Sequence, residues 1–406
     1  MPSDSAASPS VLKATASSLV LRNVAHGAND LYWFILPPVL PLVLREFGLG
    51  YAQAGGMMAV FLSVIALASM LTGRLSDRVR RGSLIAAGFL LASAAVGGAA
   101  LMPLLPLVVG CLVIAGVGVS TYHPAAYASI HDSGRGNGRT FGAFEASGSL
   151  AVILMLAVQG ILARSAGWRG LIVVGALPGA LMGLFLLLVP RVSPWDQPAP
   201  APPRQTLRRS GPLLPALFLV AVMLRVLGTN ALQSFVPTYL VRAVGMGQSV
   251  ASFAVGFIFL GGMCGAMIMG RLADRRGSLP VFLLCSGLLV PLLPLMGLHL
   301  PPAAYPAVLV LVGFCNSACL PSQNMILGLV SGTRAKGSVF GILMGATALT
   351  SAASPLAFGL IADAAGLVTA VRACAVPVAA GWVLMVVIRR RLSSCSGEIA
   401  RPAANA

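Results

Sequence analysis

The sequence predicts an all-α membrane protein with twelve transmembrane helices, arranged as two pseudo-symmetric halves of six. Of its 406 residues, 57% are hydrophobic and only 9% are charged, whereas a soluble domain carries roughly 25% charged residues. A helix needs about 20 apolar residues to cross the hydrocarbon core of a membrane. Apolar runs close to this length follow one another along the chain and are numbered here as spans 1 to 12: 19–44, 52–73, 83–102, 104–128, 139–163, 168–190, 213–241, 249–270, 278–299, 305–328, 338–362 and 367–388.

The second half of the chain repeats the first. GRLSDR at 73–78 returns as GRLADR at 270–275, and GRTFGAFEASGSL at 138–150 returns as GSVFGILMGATAL at 337–349. The offset is therefore 270 − 73 = 197 or 337 − 138 = 199 residues. Parallel six-helix repeats are the plan of many secondary transporters. The predicted domains are an N-terminal tail (1–18), a first half (19–190), a proline-rich linker (191–212), a second half (213–390) and a C-terminal tail (391–406).

The basic residues lie mostly on one side of the predicted membrane. The formal net charge is +17, and arginines gather in the loops after even-numbered spans, such as Arg78 and Arg81 after span 2 and Arg208 and Arg209 after span 6. The positive-inside rule places these loops and both termini in the cytoplasm. We therefore expect a multi-pass protein of a bacterial inner membrane and no nucleic-acid surface. Residues 1–18 contain no signal peptide and are predicted to be a disordered tail.

A short motif follows span 2 and returns after span 8. Its residues are Gly73, Asp77 and Arg78 in the first half, and Gly270, Asp274 and Arg275 in the second. Glycine lets a neighbouring helix approach closely, aspartate can cap a helix N-terminus, and arginine can pair with an acid. The motif resembles the cytoplasmic loop motif of the major facilitator superfamily, and the resemblance extends over all twelve spans. It implies the major facilitator fold, alternating access, and a gating loop that stabilises the outward-facing state.

Two longer stretches resemble the fosmidomycin-resistance branch of that superfamily. They are HGANDLYWFILPPVLPLVLREFGLGYAQAG (26–55) and GVGVSTYHPAAYASI (116–130), the latter followed by GRTFGAFEASG (138–148). The resemblance implies efflux of a drug-like compound, and the drug that names the branch is a phosphonate. Two features depart from common superfamily patterns without excluding proton coupling. Leu112 stands where many members have arginine, and span 5 lacks the Gly-Pro pair of drug antiporters.

Charged residues are predicted near the middle of spans 1 and 7. At 1.5 Å per residue, Asp30 lies about 15 Å into span 1 and Arg225 about 18 Å into span 7. They occupy nearly equivalent places in the repeat, because 225 − 30 = 195. Spans 1 and 7 face each other in the superfamily, so we expect a charge pair or a shared polar site. His26 precedes Asp30 by four residues and therefore lies on the same helix face.

A second ionisable pair is predicted on spans 4 and 5. His123 lies about 8 Å and Glu145 about 9 Å from the cytoplasmic face, at matched depth on consecutive helices. A histidine and a carboxylate in contact could carry a proton at physiological pH, and the alternative is a static hydrogen bond between the helices. The candidates for proton coupling are Asp30, His26, Glu145 and His123. Prolines 37, 38 and 41 in span 1, and Pro124 in span 4, predict bends.

The candidates for substrate contact are Arg225, Asn29, Asn230, Gln233 and Asn324. The planar guanidinium of Arg225 suits phosphate, phosphonate or carboxylate. The competing interpretation is that Arg225 only neutralises Asp30. For the amides, including Asn316 and Gln323 of span 10, the competing interpretation is interhelical hydrogen bonding without a role in transport.

These observations together predict a secondary active transporter and no enzyme. No phosphate-binding Gly-Lys-Ser/Thr loop appears, and the pair Cys315 and Cys319 is interpreted as packing, so no cofactor or metal is expected. We expect proton-coupled efflux of a small anionic or drug-like molecule by alternating access. Proton-linked uptake of an organic anion is the alternative, and a non-transporting sensor is a third reading. The expected partners are a small-molecule substrate, protons and the lipid bilayer, and the chain is expected to be a monomer.

Overall fold

The computed structural model describes residues 9–76, 78–132, 138–163, 165–189, 195, 213–298, 300–330 and 336–395. Within these ranges the chain is helical and contains no strand. The fifteen α-helices are α1 (Pro9–Trp33), α2 (Leu40–Phe47), α3 (Tyr51–Ser76), α4 (Arg81–Leu101), α5 (Leu105–Val119), α6 (Tyr122–Asp132), α7 (Gly138–Leu162), α8 (Gly167–Leu188), α9 (Leu213–Arg242), α10 (Gln248–Arg276), α11 (Ser278–Met296), α12 (Tyr305–Val330), α13 (Lys336–Ala365), α14 (Leu367–Ala373) and α15 (Ala375–Cys395). The prediction of an all-α protein is confirmed.

The helices reproduce the twelve predicted spans. Eleven segments of the described chain are long and apolar enough to cross a membrane. The remaining span is the first, which is divided between α1 and α2. Spans 4 and 12 are each divided in two as well, as α5 with α6 and as α14 with α15. The other nine spans are single helices.

The predicted bends in spans 1 and 4 are present. Helix α1 ends at Trp33, and the chain turns through Pro37 and Pro38 before α2 begins with Pro41 in its first turn. In span 4, α5 ends at Val119 and α6 begins at Tyr122, so Pro124 lies in the first turn of α6. A proline is tolerated there because the first N–H groups of a helix have no intrahelical partner.

Three predicted boundaries differ from the structure. Helix α1 begins at Pro9, so residues 9–18 continue span 1 as helix instead of forming a disordered tail. Helix α15 continues to Cys395, beyond the predicted end of the second half at 390. Of the linker at 191–212, the structure describes Trp195, which is buried with its ring 6.1 Å from that of Tyr122. Apolar periodicity could not reveal a polar helix extension or one anchored tryptophan.

The exterior of the bundle is apolar. Leu71, Leu188 and Val376 are 66%, 70% and 69% exposed, and many other large aliphatic side chains of the spans are exposed as well. Burying such a side chain is worth about 1.5–3 kcal/mol, so this surface would be unfavourable in water. It fits a bilayer, where the surrounding lipid tails are equally apolar.

The two halves pack through two pairs of long helices. Helix α3 packs against α13, and α7 packs against α10, so spans 2 and 11 and spans 5 and 8 form the contact. Gly55 and Gly359 allow the first pair to approach closely, because a Cβ at either position would overlap backbone atoms of the partner helix. The loop between α3 and α4 contains Arg78 and Arg80, and Arg81 begins α4. The end of the bundle at this loop is called the basic end below, and the other is called the opposite end.

Candidate functional site

Three ionisable side chains converge inside the first half. The Nε2 atom of His26 lies 3.5 Å from Oδ1 of Asp30, and Nε2 of His123 lies 3.6 Å from the same oxygen. One ligand atom from each side chain lies within 4.8 Å of the others. We call these residues the His–Asp–His cluster. Both distances exceed a normal hydrogen bond, but a proton on any one of the three groups would lie close to the other two.

The backbone of α7 fixes the tautomer of His26. Nδ1 of His26 lies 2.8 Å from the carbonyl oxygen of Phe144. A carbonyl can only accept a hydrogen bond, so Nδ1 must carry a hydrogen. In neutral His26 the lone pair of Nε2 therefore faces the carboxylate of Asp30. A proton on either group removes this repulsion, so the geometry favours a protonated cluster.

A glycine on α7 makes room for the cluster. A Cβ at Gly148 would overlap both the carboxylate of Asp30 and the ring of His26. The absent side chain therefore lets α1 lie directly against α7. Stacking of the His26 ring on Phe144, with centroids 3.7 Å apart, fixes the imidazole further. Of the glycines in span 5, Gly148 is thus explained by the approach of α1, whereas Gly142 and Gly160 face α10.

The break in span 4 places the side chain of His123 next to that of Asp30. The turn at Ser120 and Thr121 separates α5 from α6, and His123 is the second residue of α6. Its Nε2 faces Asp30, while Nδ1 is buried without a hydrogen-bond partner. A buried imidazole nitrogen without a partner is costly unless a ligand, a water or a changed conformation satisfies it.

The contact between His123 and Glu145, which the sequence left open, does not form. Glu145 accepts a hydrogen bond of 3.0 Å from the hydroxyl of Tyr127, and His123 contacts Asp30 instead. The ring of Tyr127 lies 5.8 Å from that of His123, so the tyrosine stands between the two predicted partners. Depth along the helices could be counted from the sequence, but helix rotation could not. Tyr127 had no predicted role, although it lies four residues after His123 on the same helix face.

Arg225 lies in a separate polar cluster in the second half. Its Nη1 donates to Oδ1 of Asn316 at 2.6 Å, and its Nη2 donates to Oε1 of Gln323 at 3.1 Å. The residue is only 3% exposed, and its Nε has no hydrogen-bond partner. We call Arg225, Asn316 and Gln323 the arginine cluster. All three residues come from α9 and α12 of the second half.

The expected ion pair between Asp30 and Arg225 does not form. Both residues are described, and no ion pair joins them. Repeat position relates the two charges by sequence offset alone. It could not predict that each half supplies its own partners, imidazoles for the acid and amides for the guanidinium.

The other predicted polar residues are dispersed. Asn29 is buried and donates to the carbonyl of Val119 at 3.3 Å, while its Oδ1 has no partner. Gln233 lines a small cavity between the halves together with Phe34 and Phe259. Asn230 and Asn324 are partly buried. Among the described side chains, none of these amides hydrogen-bonds Arg225.

The loop motif is only partly described. A Cβ at Gly73 would lie 3.5 Å from Cβ of Pro124, which is an ordinary contact. The expected close approach therefore does not require glycine there. Asp77 lies outside the described residues. Arg78, Asp274 and Arg275 are exposed at the basic end, and Gly270 is buried in α10.

The sequence pattern of the Major Facilitator Superfamily matches residues 24–304 and again residues 218–401. The chain belongs to this superfamily. The superfamily assignment made from the loop motif is thereby confirmed, and the chain is a multi-pass membrane transporter, not an enzyme. None of the curated proteins matches the chain.

Solved transporters share the fold. A bacterial homologue of the human lysosomal transporter Spinster, inward-facing and unoccupied, has a TM-score of 0.70 and 15% identity, over 94% of this chain and 98% of the homologue. The same homologue in its inward-facing and occupied conformation gives 0.69 and 17%, over 92% and 96%. The human organic anion transporter MFSD10 has a TM-score of 0.68 and 15% identity, over 91% and 99%. At this identity the likeness concerns the fold alone.

Proposed function

We propose that this superfamily member couples the movement of protons to the efflux of a small anionic or drug-like molecule by alternating access. It would act as a monomer in the inner membrane of a bacterium, with both termini and the basic end in the cytoplasm. The loop motif of Gly73, Asp77 and Arg78, with its copy at Gly270, Asp274 and Arg275, would act as the gating loop at that end.

The observation that carries the proposal is the His–Asp–His cluster. His26 presents a lone pair to the Asp30 carboxylate, because its other nitrogen is bound to the Phe144 carbonyl. An ionisable group at this depth is costly and is by default a functional candidate. A proton that enters the cluster removes the repulsion, and a proton that leaves restores it. The cluster can therefore make the energy of a conformation depend on proton occupancy, which coupling requires.

Glu145 and Tyr127 extend this system toward the basic end. Tyr127 donates to Glu145 and lies beside His123. Because Tyr127 lies between Glu145 and His123, this arrangement supports a path in which a proton passes between Glu145 and the His–Asp–His cluster through the Tyr127 hydroxyl. Glu145 would then be the group that exchanges protons with the cytoplasm.

Arg225 supports an anionic substrate. Its described partners are neutral amides, so the guanidinium charge is buried without a carboxylate beside it. A buried charge without a counter-charge is strongly unfavourable, and a bound anion would compensate it. The resemblance of residues 26–55 and 116–148 to the fosmidomycin-resistance branch favours a phosphonate. Asn29, Asn230, Gln233 and Asn324 would contact the rest of the substrate.

The proposal is tested by comparing a deletion strain with an overexpressing strain on a panel of antibiotics and organic acids. Export predicts that overexpression protects against at least one compound, such as the phosphonate fosmidomycin, and that deletion sensitises to it. Loss of growth on an organic acid after deletion would reverse the assigned direction. An overexpressed Asp30→Asn variant, checked for equal membrane abundance, is the control, since it should give no protection. Protection equal to that of the native chain would refute the role of the cluster.

A further inference from the structure

At the opposite end of the bundle, the carboxylate of Asp363 joins the two halves. Its Oδ1 accepts the backbone N–H of Tyr51 at 2.9 Å, and its Oδ2 accepts the backbone N–H of Ala52 at 2.8 Å. Tyr51 and Ala52 are the first residues of α3 in the first half, and Asp363 lies near the end of α13 in the second. Both carboxylate oxygens are therefore used across the interface.

Helix α3 lacks a capping side chain of its own. Gly50 precedes it and has no side-chain oxygen to accept the N–H groups of the first turn. The side chain of Gln53 reaches back to the N–H of Gly50 at 2.9 Å but leaves the N–H groups of Tyr51 and Ala52 to Asp363. The second half thus supplies the cap that the first half is missing.

Asp363 is unfavourably placed for its own helix. It lies two residues before the end of α13, where the helix dipole is negative and disfavours a carboxylate. The positive N-terminus of α3 favours the same carboxylate. The electrostatic benefit of an acid at position 363 therefore arises from the contact between the halves.

The repeat offers an internal comparison. With an offset of 363 − 165 = 198, the place of Asp363 in the first half is taken by Ser165, three residues after the end of α7. Helix α7 packs against α10 as α13 packs against α3. Helix α10 also begins after a glycine, Gly247, and its first turn has no side-chain cap. Ser165 donates to the carbonyl of Leu162 in its own half. Among the described residues, a side chain of the other half caps α3 but not α10.

Other contacts join the halves between the middle of the bundle and this end. The ring of Phe34 lies 4.6 Å from that of Phe259 across the halves. Gln248 donates to the carbonyl of Pro38 at 2.6 Å, also from one half to the other. These contacts hold the two halves together toward the opposite end in the described conformation. Separation of the halves at this end would break all of them together.

We propose that Asp363 is a one-sided electrostatic latch that holds the outer side of the transporter closed by capping α3 from the other half. This inference rests on the alternating-access function proposed above and adds a regulatory contact to it. Opening to the outside requires both amide–carboxylate bonds to break. The latch therefore sets the balance between the outward-closed and outward-open states.

Distance measurements in lipid nanodiscs test the latch without a substrate. Spin labels would be introduced by unnatural amino acids at Leu104 and Pro302, which are exposed, pseudo-equivalent positions at the opposite end. This labelling leaves the seven native cysteines unchanged. In Asp363→Ala the ratio of long-distance to short-distance populations should rise about fivefold, the factor that corresponds to the ~1 kcal/mol of a typical lost cap. In Asp363→Lys, which places a positive charge at the helix N-terminus, the rise should be larger.

Two further variants make the result specific. Asp363→Asn keeps the side-chain shape and one acceptor, so its ratio should lie between those of the native chain and Asp363→Ala. Ser165→Ala is the matched control and should leave the distances unchanged. Native distance distributions in both Asp363→Ala and Asp363→Lys would overturn the latch. Transport assays on the same variants separate this failure from failure of the transport function, because a chain that transports normally with unchanged distances refutes the latch alone.

Discussion

The polar clusters of the two halves occupy equivalent places but contain different chemistry. In the first half, the carboxylate of Asp30 is surrounded by His26 and His123. In the second half, the guanidinium of Arg225 is held by the amides of Asn316 and Gln323. Imidazole and carboxylate groups can gain and lose a proton under physiological conditions. A guanidinium cannot, because it stays protonated in proteins.

This difference suggests a division of labour within one duplicated fold. A permanent cation in a buried site can attract an anion but cannot follow a proton gradient. A carboxylate between two imidazoles can follow a proton gradient but offers no permanent positive charge to bind an anion. We therefore assign proton handling to the first half and anion binding to the second, and each prediction below tests whether the two functions can be separated.

The largest effect is expected for Asp30→Asn. The amide cannot ionise, so accumulation driven by a proton gradient should fall to the level of empty vesicles. Exchange of labelled for unlabelled substrate needs no net proton movement and should continue. Proteoliposome assays of uptake and exchange provide the measurement. Loss of both activities with an intact, folded protein would show that Asp30 binds substrate.

A large effect on binding is expected for Arg225→Gln. Loss of a hydrogen-bonded charge should weaken substrate affinity about 10- to 100-fold. Arg225→Lys retains the charge but not the planar fork, so its affinity should lie between those of the native chain and Arg225→Gln. Equilibrium binding to the purified variants measures the change. Native affinity in both variants would exclude the anion-binding role.

A moderate effect on pH dependence is expected for Tyr127→Phe. This change removes the hydroxyl that donates to Glu145 and leaves the ring beside His123. Transport should persist with a shifted pH profile, because the route for the proton is altered while the substrate site is intact. Phe34→Leu, which changes an aromatic ring outside the His–Asp–His cluster, is the comparison and should leave the pH profile unchanged. An unaltered profile in Tyr127→Phe would assign the tyrosine to packing.

The smallest effect is expected at Glu46, a charged site of the first half beyond predicted span 1. Burial raises its pKa, but hydrogen bonds from Arg169 and Trp168 outweigh this and hold the pKa below its ordinary value of 4.5. A lowered pKa stabilises the fold above the ordinary value, and the stabilisation is lost as pH falls through the folded value. Glu46→Gln should therefore lower thermal stability at neutral pH by no more than about 1 kcal/mol.

The difference between Glu46→Gln and the native chain should shrink at acid pH and leave transport intact. Thermal unfolding measured at several pH values tests the first point, and the proteoliposome assay tests the second. A transport defect as large as that of Asp30→Asn would mean that charge anywhere in the first half matters, which would break the comparison between the clusters.

Most of the fold could be predicted from the sequence, because apolar length and a repeated loop motif are strong signals. The spans, the repeat and the bends near Pro38 and Pro124 follow from them. The arrangement of the candidate site was harder to predict from the sequence. Counting residues predicts a depth for Asp30, His123 and Glu145, but the contact of His123 with Asp30 depends on the turn at 120–121 and could not be counted. The cap provided by Asp363 joins residues 312 apart in sequence, and no local pattern reveals it.

The most direct test of the division of labour is proton release on substrate binding, measured with a pH indicator in weakly buffered solution. The substrate would be the compound identified by the resistance screen. The native chain should release protons when it binds. Asp30→Asn should bind substrate and release none, and Arg225→Gln should neither bind nor release at the same concentration. Proton release by Asp30→Asn equal to that of the native chain would contradict the account.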